Sequence, residues 1–224
     1  MRVVIFGASG MVGQGVLLEC IEHKSISSIL VVGRSSCGIN HAKVDEIIHS
    51  DFADYVAIED RLVGLDACFF CLGVSAAGMS EEDYRHVTYD FAVGAAEILA
   101  RLNSEIVFCY VSGAGTDSSE KGRTMWARVK GMTENHLLKM PFDSAYMFRP
   151  GYIQPKKGVR SKTRLYQAMY TVLSPLYPIW KTLFPSFVTT TEKVGLAMIQ
   201  VAENGFSKPV LETRDINALA SDSH

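Results

Sequence analysis

The chain has 224 residues, and its 22 lysines and arginines against 24 aspartates and glutamates give a net charge of −2. Hydrophobic residues make up 48% of the sequence, enough for a sizeable buried core, which excludes a disordered or fibrous protein. The longest basic run is the pair Lys156-Lys157, which is too short to neutralise a phosphate backbone, so nucleic acid is not expected as a partner. The length predicts one domain over residues 1–224.

The beginning of the chain and its cysteine content bear on where the protein resides. The apolar run of four residues after Arg2 ends in glycine and is shorter than the ~7 to 15 residues of a signal-peptide core. The five cysteines are an odd number at irregular spacing, which does not match a secreted disulfide framework. We therefore expect reduced thiols, a cytoplasmic location and no integral membrane segment.

Segments typical of strands and of helices alternate along the chain. Apolar runs predict strands at residues 2–6, 29–32, 44–48, 67–72, 105–111, 145–148 and 209–211. Helical periodicity predicts helices at residues 11–21, 81–102, 124–138 and 191–202, the second of them starting at a capping box on Ser80. Strands separated by helices form a parallel sheet that is covered on both faces. The sequence therefore predicts a doubly wound, three-layer α/β/α fold.

The sharpest motif is the glycine loop Gly7-Ala8-Ser9-Gly10-Met11-Val12-Gly13, between the first strand and the first helix. In such a loop the first glycine permits a tight turn, the second lets a pyrophosphate approach the backbone, and the third lets the helix pack on the strand. The helix N-terminus adds unpaired amides and the positive end of its dipole. A tight turn without a ligand is the alternative. The motif predicts a dinucleotide site with contacts from Gly7, Ser9, Gly10, Met11, Val12 and Gly13.

The residues that follow the second strand indicate which dinucleotide binds. An NAD site carries an acidic residue there to accept from the ribose 2′-hydroxyl, whereas this chain has Arg34 and Ser35. A guanidinium can pair with a 2′-phosphate through charge-assisted hydrogen bonds, so NADP is predicted and NAD is less favoured. A solvated surface arginine is the alternative. Asp51 and Phe52, after the third strand, are expected at the edge and face of the adenine, although an ordinary loop has the same composition.

The pattern changes after Arg149. Prolines and glycines interrupt the chain, and residues 165–184 are then dense in tyrosine, leucine and tryptophan. Two prolines and a lysine break a stretch that is barely as long as the ~20 residues a bilayer requires, which disfavours a membrane span. We expect residues 150–190 to form a small helical cap on the substrate side of the domain.

The cysteine and histidine patterns favour no metal centre. Cys68 and Cys71 form a C-x-x-C pair, but residues three apart on a strand point to opposite faces and cannot share a metal or form a disulfide. A buried, hydrophobic role is therefore predicted for both thiols. The six histidines show no H-x-x-x-H or H-E-x-x-H spacing, and no metal site is expected.

Several short motifs together resemble one family. They are the glycine loop, Gly33-Arg34-Ser35, residues 66–73, residues 111–114, Val129-Lys130-Gly131 and Arg149-Pro150-Gly151. In these motifs the chain resembles the atypical short-chain dehydrogenase/reductase superfamily, in particular homologues of the Tat-interacting oxidoreductase and bacterial proteins labelled nucleoside-diphosphate-sugar epimerase-like. The resemblance implies a Rossmann fold and an NAD(P) cofactor. It also implies cofactor contacts from Cys71, Leu72, Gly73, Lys130, Pro150 and Gly151.

The same resemblance implies a catalytic centre, from which this chain departs at one position. Members of the superfamily use a serine, and a tyrosine four residues before a lysine, to move a proton and a hydride. Ser112 and Lys130 match the serine and the lysine, but Trp126 stands in place of the tyrosine. An indole N–H donates a hydrogen bond but does not release its proton near neutral pH. Tyr152, in the loop after Arg149-Pro150-Gly151, is the alternative proton donor and completes the predicted catalytic set.

Three functions are compatible with these motifs. The first is an NADP-dependent reductase or epimerase-like enzyme that acts on a small carbonyl compound or a nucleotide sugar. The second is a redox-silent dinucleotide sensor or scaffold, and the third is an interaction module whose aromatic segment docks a partner. The first two share the glycine loop and differ in the consequence of Trp126. The sequence identifies neither the substrate nor whether the chain is a monomer or a homodimer.

Overall fold

The structure is a computed structural model that describes residues 1–159 and 186–221. Its main body is a seven-stranded parallel sheet in the order β3-β2-β1-β4-β5-β6-β9, and β7 and β8 form a separate parallel pair. The strands are β1 Arg2–Phe6, β2 Ser28–Gly33, β3 Val44–Ile48, β4 Ala67–Phe70, β5 Val107–Val111, β6 Ser144–Arg149, β7 Tyr152–Gln154, β8 Val188–Thr190 and β9 Val210–Glu212. The helices are α1 Met11–Glu22, α2 Glu81–Arg85, α3 Phe91–Leu102, α4 Met125–Leu137, α5 Thr191–Asn204 and α6 Thr213–Leu219.

Strand β1 lies inside the sheet and shows why both faces are covered. Val3 and Ile5 pack into the hydrophobic cluster on one face, together with side chains of α1 and α5. Val4 and Phe6 pack into the cluster on the other face, together with side chains of α3. Successive strand residues point to opposite faces, so a strand that is buried on both sides must be apolar throughout. This confirms the three-layer α/β/α fold.

The predicted strands and helices are present, with differences in detail. The helix predicted over residues 81–102 is interrupted, because one π-helical turn, His86–Asp90, separates α2 from α3. Ser80 begins α2 as predicted, and its Oγ accepts from the Asp83 amide at 3.1 Å. A 3₁₀ turn at Val56–Arg61, the short pair β7 and β8, and α6 were not predicted. Each of these unpredicted segments has seven residues or fewer, too short for a periodic pattern to stand out.

The predicted cap falls mainly on residues that the structure leaves out. Residues 165–184 lie outside the described residues, and of the predicted cap at residues 150–190 the structure describes residues 150–159, which contain β7, and 186–190, which contain β8. The cap and the assignment of residues 1–224 to one domain stay predictions. Among the residues that the structure describes, no helix combines the length and the hydrophobicity needed to cross a bilayer.

The two thiols of the C-x-x-C pair lie on opposite faces of the sheet. Cys68 is buried in the cluster that contains Phe70, whereas Cys71 packs against the cluster that contains Cys109. Burial raises the pKa of Cys71 to about 12, so the thiol stays protonated at neutral pH. The structure thus confirms that the pair is not arranged to chelate a metal or form a disulfide.

Candidate functional site

The glycine loop between β1 and α1 folds so tightly that two of its glycines have no room for a side chain. Gly7 has a φ of +80°, and a Cβ there would lie 2.6 Å from the amide nitrogen of Leu72. A Cβ on Gly13 would lie 2.3 Å from the Gly7 carbonyl oxygen. The Gly10 amide donates to the same carbonyl at 2.9 Å. The turn therefore needs glycine at positions 7 and 13 for its own shape.

Gly10 has a different role in the loop. Its backbone is extended, and a Cβ there would lie 3.3 Å from the Gly7 carbonyl oxygen, a tight contact but a less severe one than those at Gly7 and Gly13. Gly10 is the N-cap of α1, and among the described residues no side chain caps this helix end. The first amides of a helix lack intrahelical partners, and its dipole adds positive charge there. An uncapped helix start of this kind is the geometry that proteins use to bind anions.

The loop after β4 forms the neighbouring wall. The Cys71 amide donates to the Phe6 carbonyl at 2.9 Å, and Leu72 lies against Gly7. A Cβ on Gly73 would meet no atom within 4 Å, so the main chain there borders open space. Cys71, Leu72 and Gly73 therefore lie beside the glycine loop, where the resemblance implies cofactor contacts.

Arg34 and Ser35 lie at the same edge of the sheet. Both follow directly after β2, and both are exposed. Because β2 is paired in parallel with β1, the carboxyl ends of the two strands are neighbours. The guanidinium is thus carried by the strand end next to the glycine loop, as an NADP site requires.

Phe52 requires a correction. Its side chain is 1% exposed and packs against Phe6 and Phe91, with ring centroids 6.3 Å and 5.4 Å away. The ring is part of the core and offers no face to an adenine, so the prediction of a stacking contact is wrong. Asp51 is exposed, and its Oδ1 accepts from the Ala53 amide at 2.9 Å in a local turn. In this loop, Asp51 and the main chain of Phe52 remain as candidates for contact with the adenine.

The carboxyl end of β5 and helix α4 bring Ser112 and Lys130 together. Lys130 Nζ donates to the carbonyl oxygen of Ser112 and, at 3.5 Å, to that of Val111. Burial lowers the pKa of Lys130 to about 8, and the negative charge of Glu134 opposes this shift. The ammonium is therefore held at the same edge of the sheet as the glycine loop, and it loses its proton only slightly above neutral pH.

The Ser112 hydroxyl points into the protein. It donates to the Glu134 carboxylate and, at 3.0 Å, to the carbonyl oxygen of Phe148 in β6. Ser112 as a whole is only 7% exposed. A hydroxyl carries one proton, and here that proton is directed to internal acceptors. The predicted serine and lysine are adjacent, with the serine side chain turned away from the edge.

Glu134 and Arg149 are the candidate site residues that sequence reasoning missed. Arg149 Nε lies 3.0 and 3.1 Å from the two carboxylate oxygens of Glu134, and Nη2 also donates to this carboxylate. The two side chains are 13% and 1% exposed, and the carboxylate raises the pKa of Arg149 above its usual value. The available signal was the four-residue spacing from Lys130 to Glu134, which places both on one face of α4.

The loop after Ser112 is fastened onto α4 at Gly131. A Cβ on Gly131 would lie 1.8 Å from the carbonyl oxygen of Asp117, so the loop crosses the helix in direct contact. Asn135 Nδ2 donates to the Ser118 carbonyl at 2.9 Å, and Ser118 Oγ accepts from Arg149 Nη2. The glycine of the Val-Lys-Gly motif thus lets the loop reach the ion pair.

Trp126 lies in the first turn of α4, one turn before Lys130. A Cβ on Gly115 would lie 3.5 Å from the indole ring, so the ring lies over the loop that follows β5. The indole is thus near the position that the resemblance assigns to a tyrosine, and it has no proton to release at neutral pH.

Pro150 and Gly151 follow β6 next to the loop after β5. The Pro150 carbonyl accepts from the Ala114 amide at 2.9 Å. A Cβ on Gly151 would lie 2.3 Å from the Phe187 carbonyl oxygen and 2.8 Å from its ring, so only glycine fits beneath this aromatic side chain. The Phe187 side chain is half exposed and forms an apolar wall at this end of the sheet.

Tyr152 begins β7, two residues beyond Pro150. Its hydroxyl donates to Gln154 Oε1 at 2.9 Å, and the residue is half-buried. A role for this phenol as proton donor stays a prediction.

Sequence comparisons place the chain among known proteins. No protein-family model matches it. The chain is similar to HTATIP2 of Rattus norvegicus, with 26% identity over 154 residues, which cover 67% of this chain and 62% of the rat protein. It is also similar to the mitochondrial protein FMP52 of Meyerozyma guilliermondii, with 23% identity over 204 residues, which cover 90% of this chain and 85% of the fungal protein. The match to the rat protein thus spans less than two thirds of that protein.

Solved structures share the fold at low sequence identity. The Bordetella bronchiseptica enzyme WbmF in complex with NAD+ aligns with a TM-score of 0.66 and 15% identity, covering 99% of this chain and 77% of WbmF. A short-chain dehydrogenase/reductase family oxidoreductase from Burkholderia thailandensis aligns with a TM-score of 0.67 and 13% identity, covering 96% and 92%. The sequence relatives and the shared fold confirm the resemblance drawn from the motifs, and the structure has the α/β Rossmann fold.

Proposed function

We propose that the protein binds NADP along the carboxyl edge of the sheet, with the pyrophosphate on the glycine loop. One observation carries the proposal, namely the packing of this loop. Gly7 and Gly13 form a turn too tight for side chains, and Gly10 leaves the N-terminus of α1 open. Such a turn brings backbone amides and a helix dipole against anionic phosphates. The NAD+ complex of WbmF, which shares the fold, supports a dinucleotide as the ligand.

The residues along this edge fit successive parts of the dinucleotide. The pyrophosphate would lie on the glycine loop, in contact with Gly7, Ser9, Gly10, Met11, Val12 and Gly13. The ribose that carries the 2′-phosphate would lie against Arg34 and Ser35. Asp51 and the main chain of Phe52 would border the adenine. The nicotinamide half would be surrounded by residues of two other loops and of α4, namely Cys71, Leu72, Gly73, Lys130, Pro150 and Gly151.

The preference for NADP over NAD is part of this proposal. It is supported by the position of Arg34 directly after β2 and by the absence of an acidic residue at that strand end. A guanidinium forms strong, charge-assisted hydrogen bonds with a phosphate, whereas an NAD site needs a carboxylate acceptor for the 2′-hydroxyl.

The proposed activity is reduction, oxidation or epimerisation of a small carbonyl compound or a nucleotide sugar. Bound NADP would supply or accept the hydride. The chain contributes Lys130, whose ammonium would hold the ribose hydroxyls next to the nicotinamide, and Ser112, which fixes the strand end that Lys130 contacts. Trp126 cannot donate the proton, and Tyr152 is the proposed donor in its place.

A redox-silent dinucleotide sensor or scaffold is the second candidate. Two observations favour it. Trp126 stands where the resemblance implies a proton-donating tyrosine, and the Ser112 hydroxyl is directed to Glu134 and Phe148 inside the protein. Cofactor binding requires neither of these groups, so a silent protein would retain it.

Two measurements test the proposal. Titration of the purified protein with NADPH and NADH, followed by dihydronicotinamide fluorescence, is expected to show saturable binding with NADPH the tighter ligand. An absence of binding by either nucleotide would contradict the proposed site. Consumption of NADPH over a panel of aldehydes, ketones and keto sugars then separates the enzyme from the silent sensor.

The remaining expectations are proposals of the same standing. A small molecule rather than nucleic acid is the expected partner, and the protein is expected to be a monomer or a homodimer. A cytoplasmic location is proposed from the sequence, although the FMP52 relative is named a mitochondrial protein.

A further inference from the structure

We propose that Glu134 and Arg149 are positioning residues, which fix the Ser112 backbone and with it the Lys130 ammonium at the nicotinamide end of the site. This inference rests on the proposed function, because it assigns a task to residues that surround the proposed nicotinamide half. The glycine loop does not involve either residue, and neither belongs to the serine, tyrosine and lysine that the resemblance implies.

Ser112 is held from two sides by one helix. Lys130 Nζ donates to the Ser112 carbonyl oxygen, and the Ser112 hydroxyl donates to the Glu134 carboxylate. Residues four apart on a helix lie on the same face, so α4 reaches the end of β5 with both side chains at once. Any shift of the Glu134 carboxylate therefore moves the carbonyl that orients the Lys130 ammonium.

Arg149 fixes the Glu134 carboxylate in turn. Its guanidinium contacts both carboxylate oxygens, with Nε at 3.0 and 3.1 Å, and such a forked geometry restrains orientation as well as distance. Arg149 also donates to Ser118 Oγ and lies 3.6 Å from a Glu212 carboxylate oxygen at the end of β9. The ion pair thus ties α4, β6, β9 and the loop after β5 into one frame behind Lys130.

The same network defines what Ser112 contributes. Its hydroxyl proton goes to a buried carboxylate and to the Phe148 carbonyl oxygen, so the side chain serves the geometry of the strand end. The Glu134 charge acts on Lys130 in addition, because a nearby carboxylate favours the ammonium form. The pair therefore sets both the place and the charge of Lys130.

The test compares variants of the full-length protein by the reactivity of the Lys130 amine. Trace acetylation with acetic anhydride at pH 7.0, without any nucleotide, is quantified by mass spectrometry relative to Lys139, an exposed lysine just beyond the same helix. Only the neutral amine reacts. In Glu134→Gln the loss of the carboxylate charge lowers the pKa of Lys130, and we expect its relative acetylation to rise about threefold or more.

A matched control and a double variant separate positioning from general support of the fold. The control is Glu81→Gln, which removes the ion-pair partner of Arg128 in α4, at a distance of 2.7 Å. This pair is more exposed than Glu134 and Arg149, and its loss should leave Lys130 acetylation unchanged. Glu134→Met combined with Arg149→Met removes both buried charges and should keep the melting temperature near the wild-type value. Lys130 acetylation should stay raised in this double variant, and its NADPH affinity should fall about fivefold or more.

The outcomes distinguish the two proposals. A folded double variant with wild-type acetylation of Lys130 and wild-type NADPH affinity would overturn the positioning role. A failure of the wild-type protein to bind NADPH would overturn the proposed function instead, while the acetylation ratio of Glu134→Gln, measured without nucleotide, would still decide whether the ion pair controls Lys130.

Discussion

The turn between β1 and α1 and the junction of β5, α4 and β6 lie at the same edge of one sheet but treat their polar groups in opposite ways. At the turn, glycines leave the helix end uncapped and the backbone open to an anion. At the junction, the polar side chains form hydrogen bonds with one another or with the adjacent main chain; they belong to Ser112, Lys130, Glu134 and Arg149. The first region therefore leaves backbone amides without side-chain partners, whereas the second pairs its polar groups internally.

The two regions are therefore expected to respond differently to changes in their side chains. A site built from backbone geometry keeps its binding capacity when nearby side chains change, because its amides do not depend on them. In a site built from polar and charged side chains, a group that forms hydrogen bonds within the protein is not free to donate a proton to a substrate. If the proposed function holds, dinucleotide binding should tolerate side-chain changes better than proton transfer does.

The largest effect is expected from Gly10→Glu. A Cβ at this position requires only a small shift of the Gly7 carbonyl, whereas a carboxylate at the start of α1 would occupy the proposed phosphate site and repel its charge. NADPH affinity in fluorescence titration should fall by more than ~100-fold. Gly10→Ala is the matched control and should lose far less. Equal affinity of Gly10→Glu and wild type in a folded protein would place the phosphates elsewhere.

A large loss of stability is expected from Glu134→Gln. The substitution leaves the Arg149 guanidinium, 13% exposed, without its buried partner, and breaking such a pair costs about 3 to 5 kcal/mol. Glu81→Gln, which removes a pair whose side chains are 24% and 52% exposed, should cost less than ~1 kcal/mol. Urea denaturation measures both. Similar losses for the two variants would show that the junction is not specially supported.

A smaller effect, specific to one nucleotide, is expected from Arg34→Ala. Loss of charge-assisted hydrogen bonds to the 2′-phosphate should weaken NADPH binding by about 1.5 to 3 kcal/mol and leave NADH binding almost unchanged. Calorimetric titration with both nucleotides measures the difference. A wild-type protein that prefers NADH, or an equal loss for both nucleotides, would contradict the assignment of Arg34.

Trp126→Tyr tests whether the chain lacks a proton donor at position 126. A phenol one turn before Lys130 would restore a proton donor, and a gain of about tenfold in NADPH-dependent carbonyl reduction is expected, part of the ~10² to 10⁴-fold that general acid catalysis contributes. Trp126→Phe is the control, since it changes the ring without adding a donor. Activity that falls in Tyr152→Phe but not in Trp126→Phe would assign the proton to Tyr152.

The smallest effect expected is a pH dependence of cofactor affinity. Burial lowers the pKa of Lys130 to about 8, so the ammonium is present below this pH and is lost as the pH rises through it. NADPH affinity should therefore decrease about three- to tenfold between pH 7 and 9. Lys130→Met should bind more weakly at pH 7 and show a flatter profile. A wild-type affinity that rises over this range would exclude the ammonium as a ligand contact.

The sequence predicted the features that repeat or that only glycine can supply. Strand β1 is apolar from Val3 to Phe6 because both of its faces are buried there, and the spacing of Gly7, Gly10 and Gly13 follows from a turn in which two of them cannot carry a side chain. Both signals are local. The parallel sheet, covered on both faces, then followed from the alternation of strands with helices.

The features that the sequence did not predict depend on contacts between distant segments. The ring of Phe52 was expected at the face of the adenine, but it packs against Phe6 and Phe91, which lie far from it in the chain. The pairing of Glu134 with Arg149 joins a helix to a strand, and neither residue by itself differs from a surface charge. Long-range pairing of this kind leaves no periodic pattern in a single sequence.

Hydrogen exchange with and without saturating NADPH is the most direct test of a dinucleotide site on the glycine loop, because it reports on individual backbone amides. We expect slower exchange of the amides of residues 7–13 and 34–35 when the nucleotide is bound, since these amides would lie against its phosphates. Protection confined to other parts of the chain, or none at saturating nucleotide, would contradict a dinucleotide site on the glycine loop.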